Sequence, residues 1–146
     1  MIYQHRFRVN APQKIVAEFH HSTQSMAAIT PPPIITQVHR APAVVAEAAE
    51  MDFTLWMGPI PLRWLAKFEQ VSLAGFSDRL VRGPFAAWRH QHQFIEIDAH
   101  TTEVYDRIEA AYHPNPFWRL VGMEMWLNLP VLFAYRGWRT RKLLEA

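Results

Sequence analysis

Gly83-Pro84-Phe85-Ala86-Ala87-Trp88-Arg89-His90-Gln91-His92-Gln93-Phe94 joins a Gly-Pro turn to a two-faced strand. From Trp88 onward a period of two puts Trp88, His90, His92 and Phe94 on one side and Arg89, Gln91 and Gln93 on the other. Arginine and glutamine belong in water, so the face with Trp and Phe turns inward and takes two imidazoles with it. Buried polar groups need partners, and an inward His-x-His therefore predicts either a structural hydrogen-bond network or a site. Gly83 is expected to take a positive φ in the turn, where a β-branched residue would be strained.

The same alternation extends both ways from this strand. On the carboxyl side Val104, Asp106, Ile108, Ala110 and Tyr112 oppose Glu103, Tyr105, Arg107 and Glu109, so Asp106 shares the apolar face. On the amino side Phe76, Asp78 and Leu80 oppose Ser77, Arg79 and Val81. Before them, Met51, Phe53, Leu55 and Met57 alternate with Asp52, Thr54 and Trp56. The turn Gly58-Pro59-Ile60-Pro61 follows, and Leu62, Trp64, Ala66 and Phe68 then oppose Arg63, Lys67 and Glu69. Residues 34 to 39 read as one more strand, and Ala46 to Glu50 as a short helical stretch by propensity.

At the amino end Tyr3, His5, Phe7 and Val9 alternate with Gln4, Arg6 and Arg8 in a first strand. Pro12 suits the first turn of a short helix with Ile15, Val16 and Phe19 on one stripe, and His20-His21 reads as its solvated end. Ser22 is expected to cap a second short helix through Ala28, stopped by Pro31-Pro32-Pro33. From about Phe117 to Leu144 the period lengthens, and Leu120, Met123, Leu127, Val131, Tyr135 and Trp138 trace the apolar stripe of a long helix that Pro130 should kink or split. One strand, two small helices, six antiparallel strands and a long terminal helix make an α+β layout.

Composition narrows the function classes. A chain of 146 residues fits one domain, 1–146, that buries about two-thirds of its unfolded surface. With no cysteine, disulfides and thiolate chemistry are excluded, and a reducing cytoplasmic setting is expected. The first residues lack a basic-then-apolar signal pattern. The most apolar run, 125 to 135, is interrupted by Asn128 and Pro130 and falls short of the ~20 residues a bilayer requires, so no membrane span is expected. The formal charge is +2, and only Arg136, Arg139, Arg141 and Lys142 cluster, in last turns where cations favour the helix dipole; no nucleic-acid partner is expected. Neither a phosphate-binding glycine loop nor a nucleophile elbow is present, and no cofactor is expected.

Several motifs in order resemble the START-like superfamily, also described as the SRPBCC, polyketide cyclase and lipid-transfer, or helix-grip, superfamily. They are Val9-Asn10-Ala11-Pro12, Ile29-Thr30-Pro31-Pro32, Phe76-Ser77-Asp78, Gly83-Pro84-Phe85, the run Trp88 to Phe94, Asp106 with Tyr112, and Tyr135-Arg136. The match resembles most a bacterial single-domain subfamily, some of whose members are labelled cell-division inhibitors. The resemblance implies a curved antiparallel sheet of six to seven strands gripping the terminal helix over an apolar cavity. It also implies a glycine between Ala46 and Met51, where this chain has none.

On that architecture the inward apolar residues are Phe53, Leu55, Trp64, Phe68, Leu80, Trp88, Phe94, Val104 and Ile108, with Asp78, His90, His92 and Asp106 among them. Apolar walls with a few convergent polar groups are the usual form of a small-molecule site. Phe53, Leu55, Trp64, Phe68, Leu80, Trp88, Phe94, Ile108 and Arg136 are the candidate ligand contacts, Arg136 as a partner for an anionic head group. The histidines admit three readings: a register-locking network, acid–base catalysts paired with Asp78 or Asp106, or metal ligands with one of those aspartates. Two functions follow from different classes: binding of a lipid-like or polycyclic hydrophobic ligand, or a cyclase or dehydratase. A third, an interaction protein linked to cell division, rests on the subfamily label alone. Monomer and homodimer are both open.

Overall fold

In the computed structural model, which describes residues 1–145, the period-two segments form one seven-stranded antiparallel sheet. The strands are β1 (Ile2–Val9), β2 (Ile35–Arg40), β3 (Glu50–Met57), β4 (Ile60–Ser72), β5 (Gly75–Arg82), β6 (Phe85–Asp98) and β7 (Thr101–Tyr112). Their order is β1-β7-β6-β5-β4-β3-β2, a meander whose first strand returns beside the last. Between β1 and β2 lie α1 (Gln13–His21) and α2 (Ser25–Ala28); α3 (Pro116–Leu127) and α4 (Leu129–Leu144) close the chain. No helix among the described residues is long and apolar enough to cross a membrane.

Alternation placed the inner face well. Leu62, Trp64, Ala66 and Phe68 of β4, Phe76 and Leu80 of β5, Trp88, His90 and Phe94 of β6, and Val104, Asp106, Ile108 and Ala110 of β7 are all buried. The terminal helix splits as Pro130 suggested. Asn128 ends α3, and the proline sits in the first turn of α4, where its missing N–H costs nothing. At the other end of α3, the Asn115 Oδ1 accepts from the Phe117 backbone N at 2.9 Å.

Four local expectations are corrected. The stripe Leu120, Leu127 and Val131 points outward, with exposures of 68%, 77% and 68%; the helices instead lay Gly122, Leu129, Phe133, Gly137 and Thr140 on the sheet. The helices carry large apolar residues on several sides, so periodicity alone marks the largest ones. Close approach to a sheet instead needs small ones. A Cβ on Gly122 would lie 3.2 Å from the Phe85 ring, and one on Gly137 3.4 Å from Phe7.

Residues 46–49 are not helical. They form a turn tied to β4 through Ala48 N to Phe68 O and Phe68 N to Ala49 O, both 2.9 Å, and Glu50 already begins β3. Ala48 there has φ 64°, a left-handed conformation that glycine adopts at less cost, which fits the glycine the resemblance implies near this position. Ser22 does not cap α2. It ends α1, donating its backbone N–H to Glu18 O at 3.2 Å, and bridges to Val44. Gly83 is not in the positive-φ region; among glycines Gly58 and Gly75 are, at 62° and 151°.

Candidate functional site

Three adjacent strands bring the polar cluster together. Across β5 and β6 Asp78 stands opposite His90, and across β6 and β7 His92 stands opposite Asp106. The hydrogen bonds nevertheless run diagonally. His90 Nε2 meets Asp106 Oδ1 at 2.8 Å, and His92 Nε2 meets Asp78 Oδ2 at 2.7 Å. Diagonal neighbours on one sheet face are within reach of side chains this long. The imidazoles stack on each other with centroids 3.7 Å apart, and Phe76 stacks on the far side of His92 at 4.3 Å. His92 Nδ1 also lies 3.3 Å from Asp106 Oδ1, so that one oxygen serves both rings.

This wiring separates the two histidines electrostatically. Burial disfavours the charged form of His92, but the hydrogen bonds and charges of Asp106 and Asp78 outweigh it and push its pKa up to about 9. At neutral pH His92 is an imidazolium that donates from both nitrogens. Burial, reinforced by the charge on His92, lowers the pKa of His90 despite its bond to Asp106. Neutral His90 donates Nε2–H to Asp106 and leaves Nδ1 as a lone pair, 3.9 Å from Asp78 Oδ2. Burial by itself would raise both aspartates, yet the bonds from the histidines hold Asp106 and Asp78 below the ordinary carboxylate range.

The cluster forms the polar part of a cavity of about 200 Å³ between the sheet and the helices. Phe53, Leu55, Trp64, Phe68, Trp88, Ile108 and Arg136 line it, together with Asp78, His90 and His92. Asp106 is buried at the cluster's back and is not part of the cavity wall. Leu80 and Phe94 pack into the core without lining the cavity. Arg136 faces the cavity from α4, with its Nε buried and without a hydrogen-bond partner. Its pKa is lowered by burial, against the pull of Asp106 and Asp78.

Several lining residues escaped the sequence reading. Met26, Ile29, Met57, Leu129, Leu132 and Phe133 close the walls from α2, β3 and α4. Nothing in a local pattern says that α2 folds over the sheet; only the assembled topology does. His20 is also a correction. Instead of ending α1 in solvent, it lines the cavity, tilts onto Phe94 with centroids 4.8 Å apart and bonds through Nδ1 to Val16 O at 2.8 Å. Burial drives its pKa down to about 4, only partly countered by the Val16 carbonyl. Its neighbour His21 likewise packs on Phe76, at 5.5 Å.

No protein-family model matches the sequence, and no curated protein matches it. Solved structures do share its fold. An aromatase/cyclase, Zhui, from a Streptomyces species is 14% identical over 98% of this chain and 95% of its own, with a TM-score of 0.70. Norcoclaurine synthase from Thalictrum flavum, solved with dopamine and hydroxybenzaldehyde, is 12% identical over 98% and 85%, with a TM-score of 0.71. A nucleoside-diphosphate sugar epimerase from Corynebacterium glutamicum is 22% identical, with a TM-score of 0.66 over 96% of this chain but only 28% of its own. At such identities the likeness establishes architecture and nothing about reaction or ligand. With a seven-stranded antiparallel sheet closed over by a split carboxyl-terminal helix, the chain has the helix-grip fold that these solved structures share.

Proposed function

We propose that this protein binds a small hydrophobic ligand, of one or two rings, in the cavity between the sheet and the terminal helices. The carrying observation is the cavity itself: about 200 Å³, walled by Phe53, Trp64, Phe68, Trp88 and Phe133, with the His–Asp cluster, Arg136 and His20 among its polar lining. Dry apolar cavities of about 150 Å³ bind benzene, so this volume suits a compact ring system and is too small for a two-chain lipid. The one-ring compounds held by the norcoclaurine synthase of similar fold are consistent with that size. Nothing in the site bears on a link to cell division.

The test uses 2-naphthol as probe and quenching of the cavity tryptophans Trp64 and Trp88 as signal. The protein should bind it saturably. Ala66→Phe, which puts a ring into the cavity from a buried lining position, should weaken binding at least ~10-fold, as should Phe68→Glu. Val38→Glu, at an exposed position on β2, should not. Unchanged affinity in a folded Ala66→Phe protein refutes the reading.

A second reading is favoured by the division of labour between the histidines. Two like groups whose pKa values are pushed apart are what acid–base catalysis requires. Neutral His90, with Nδ1 free, would act as base, and the imidazolium of His92 as acid, in a cyclisation or dehydration on a bound ketone. If so, His90→Ala lowers turnover of a ring-sized β-hydroxyketone at least ~100-fold while its affinity changes little. Equal loss of affinity and rate would make His90 a structural residue.

A further inference from the structure

The side chains of the cluster cross instead of bonding straight across the strand register. Direct cross-strand pairs, Asp78 with His90 and His92 with Asp106, would lock three strands with one carboxylate per ring. Instead both imidazoles turn one nitrogen to Asp106 Oδ1, His90 Nε2 at 2.8 Å and His92 Nδ1 at 3.3 Å. Both then turn the other nitrogen to Asp78 Oδ2, His90 Nδ1 at 3.9 Å and His92 Nε2 at 2.7 Å. One aspartate stands behind the pair and one in front, on the cavity side.

We propose that Asp78, His90 and His92 form a binding site for a divalent transition-metal ion of the zinc type, with Asp106 orienting both histidines and one coordination position open to the cavity. One potential ligand atom from each of the three lies within 4.8 Å of the others. A tetrahedral ion with bonds of about 2.0–2.2 Å places its ligand atoms about 3.3–3.5 Å apart. The two carboxylate–imidazole distances, 2.7 and 3.9 Å, straddle that value. His90 Nδ1 makes no hydrogen bond among the described residues and would bind through its free lone pair, whereas His92 Nε2 would bind after losing its proton to solvent.

Asp106 contacts both histidines from behind. Metal-bound histidines generally donate their second N–H to a carboxylate, which sets the tautomer and the ring plane. Here one buried oxygen holds both rings in that manner, from the side away from the cavity. Two imidazoles and a carboxylate suit zinc, iron(II) or cobalt(II) rather than calcium or magnesium. Three protein ligands with a free position toward a ligand-sized space are the form of a reactive site, since purely structural zinc sites are closed by a fourth residue. Arg136 opposes a cation from the far wall, but two carboxylates face its single guanidinium, and an anion in the open position would lie toward it.

The experiment is a zinc(II) titration of the whole protein after chelator treatment, in competition with a chromophoric chelator, with cobalt(II) absorption as a second signal. The expected result is one zinc per chain and the visible cobalt bands of a four- or five-coordinate site. Asp78→Asn and His92→Gln should each weaken binding at least ~100-fold, and Asp106→Asn, which touches no metal, ~10- to 100-fold. Histidine side-chain ¹⁵N shifts of the unmutated protein provide a readout that survives any folding defect in the variants. Zinc should move His90 and His92 and leave His39, His100 and His113 in place. Stoichiometric binding that persists in both Asp78→Asn and His92→Gln, shifts confined to other histidines, or no binding at ~0.1 mM free zinc overturns the proposal. The 2-naphthol measurement on metal-free protein reports on the cavity separately, so either reading can fail without the other.

Discussion

Gly75→Ala should damage both the fold and the site. Gly75 opens β5 opposite Gln93 of β6, with φ at 151°, a region open to glycine and almost closed to other residues. A Cβ there would lie 2.0 Å from the His92 carbonyl oxygen, 3.0 Å from its carbon and 3.1 Å from Gln93 Cα. All three atoms are backbone, so no rotamer change relieves the clash; about 1.4 Å of separation must be created to reach ordinary van der Waals contact. Either β5 peels away at its start, weakening the adjacent Phe94 N to Ala74 O bond of 2.8 Å, or β6 shifts at His92. Backbone strain of about 1–3 kcal/mol and one or two hydrogen bonds at about 1 kcal/mol each sum to roughly 2–5 kcal/mol.

At about 2–4 °C per kcal/mol for a chain of this size, the melting temperature should fall by roughly 10 °C. Gly58→Ala is the control. Gly58 also has positive φ, 62°, but nothing lies within 4 Å of its Cβ position, so only the conformational penalty of about 1–2 kcal/mol applies. Urea or thermal unfolding of the two variants separates clash from φ. Because a shifted β6 also moves His92 away from Asp78, 2-naphthol affinity should drop in Gly75→Ala and hold in Gly58→Ala. A Gly75→Ala protein that melts within about 2 °C of the parent, or no lower than Gly58→Ala, refutes the reasoning.

Two further outcomes follow from the packing and from His20. Phe133, 1% exposed, touches the rings of Tyr3, His5 and His90, so Phe133→Ala should cost about 3–5 kcal/mol in urea unfolding while enlarging the cavity; a loss under 1 kcal/mol would mean the site collapses freely. For His20 the folded-state pKa, about 4, lies below the ordinary 6.5, so the fold favours the neutral ring. Its contribution is complete above pH 6.5 and is lost as pH falls from there toward 4, by about 2 kcal/mol once partial solvent access is allowed for. His20→Phe keeps a ring against Phe94 and should unfold with a shallower slope across that window. Identical slopes in the two proteins would place His20 in water.

What the sequence by itself determined is the set of residues on each strand face, because a period of two is a property of the extended chain and needs no partner. Trp88, His90, His92 and Phe94 turned inward on that ground alone, and Asp78 and Asp106 with them. The tertiary structure decided which of these groups meet. Register sets Asp78 opposite His90, yet the side chains cross, and the bonding follows diagonal reach in three dimensions. It also chose the buried side of α3 and α4. Apolar residues occupy several sides of those helices, and the sheet selects the one where Gly122, Gly137 and Thr140 permit close approach. His20 joined the cavity for a similar reason. A helix end is solvated or buried according to what packs over it, and here α1 docks on β6, where Gln13 Nε2 donates to Phe94 O at 2.7 Å, a contact 81 positions away in the chain that no local pattern encodes.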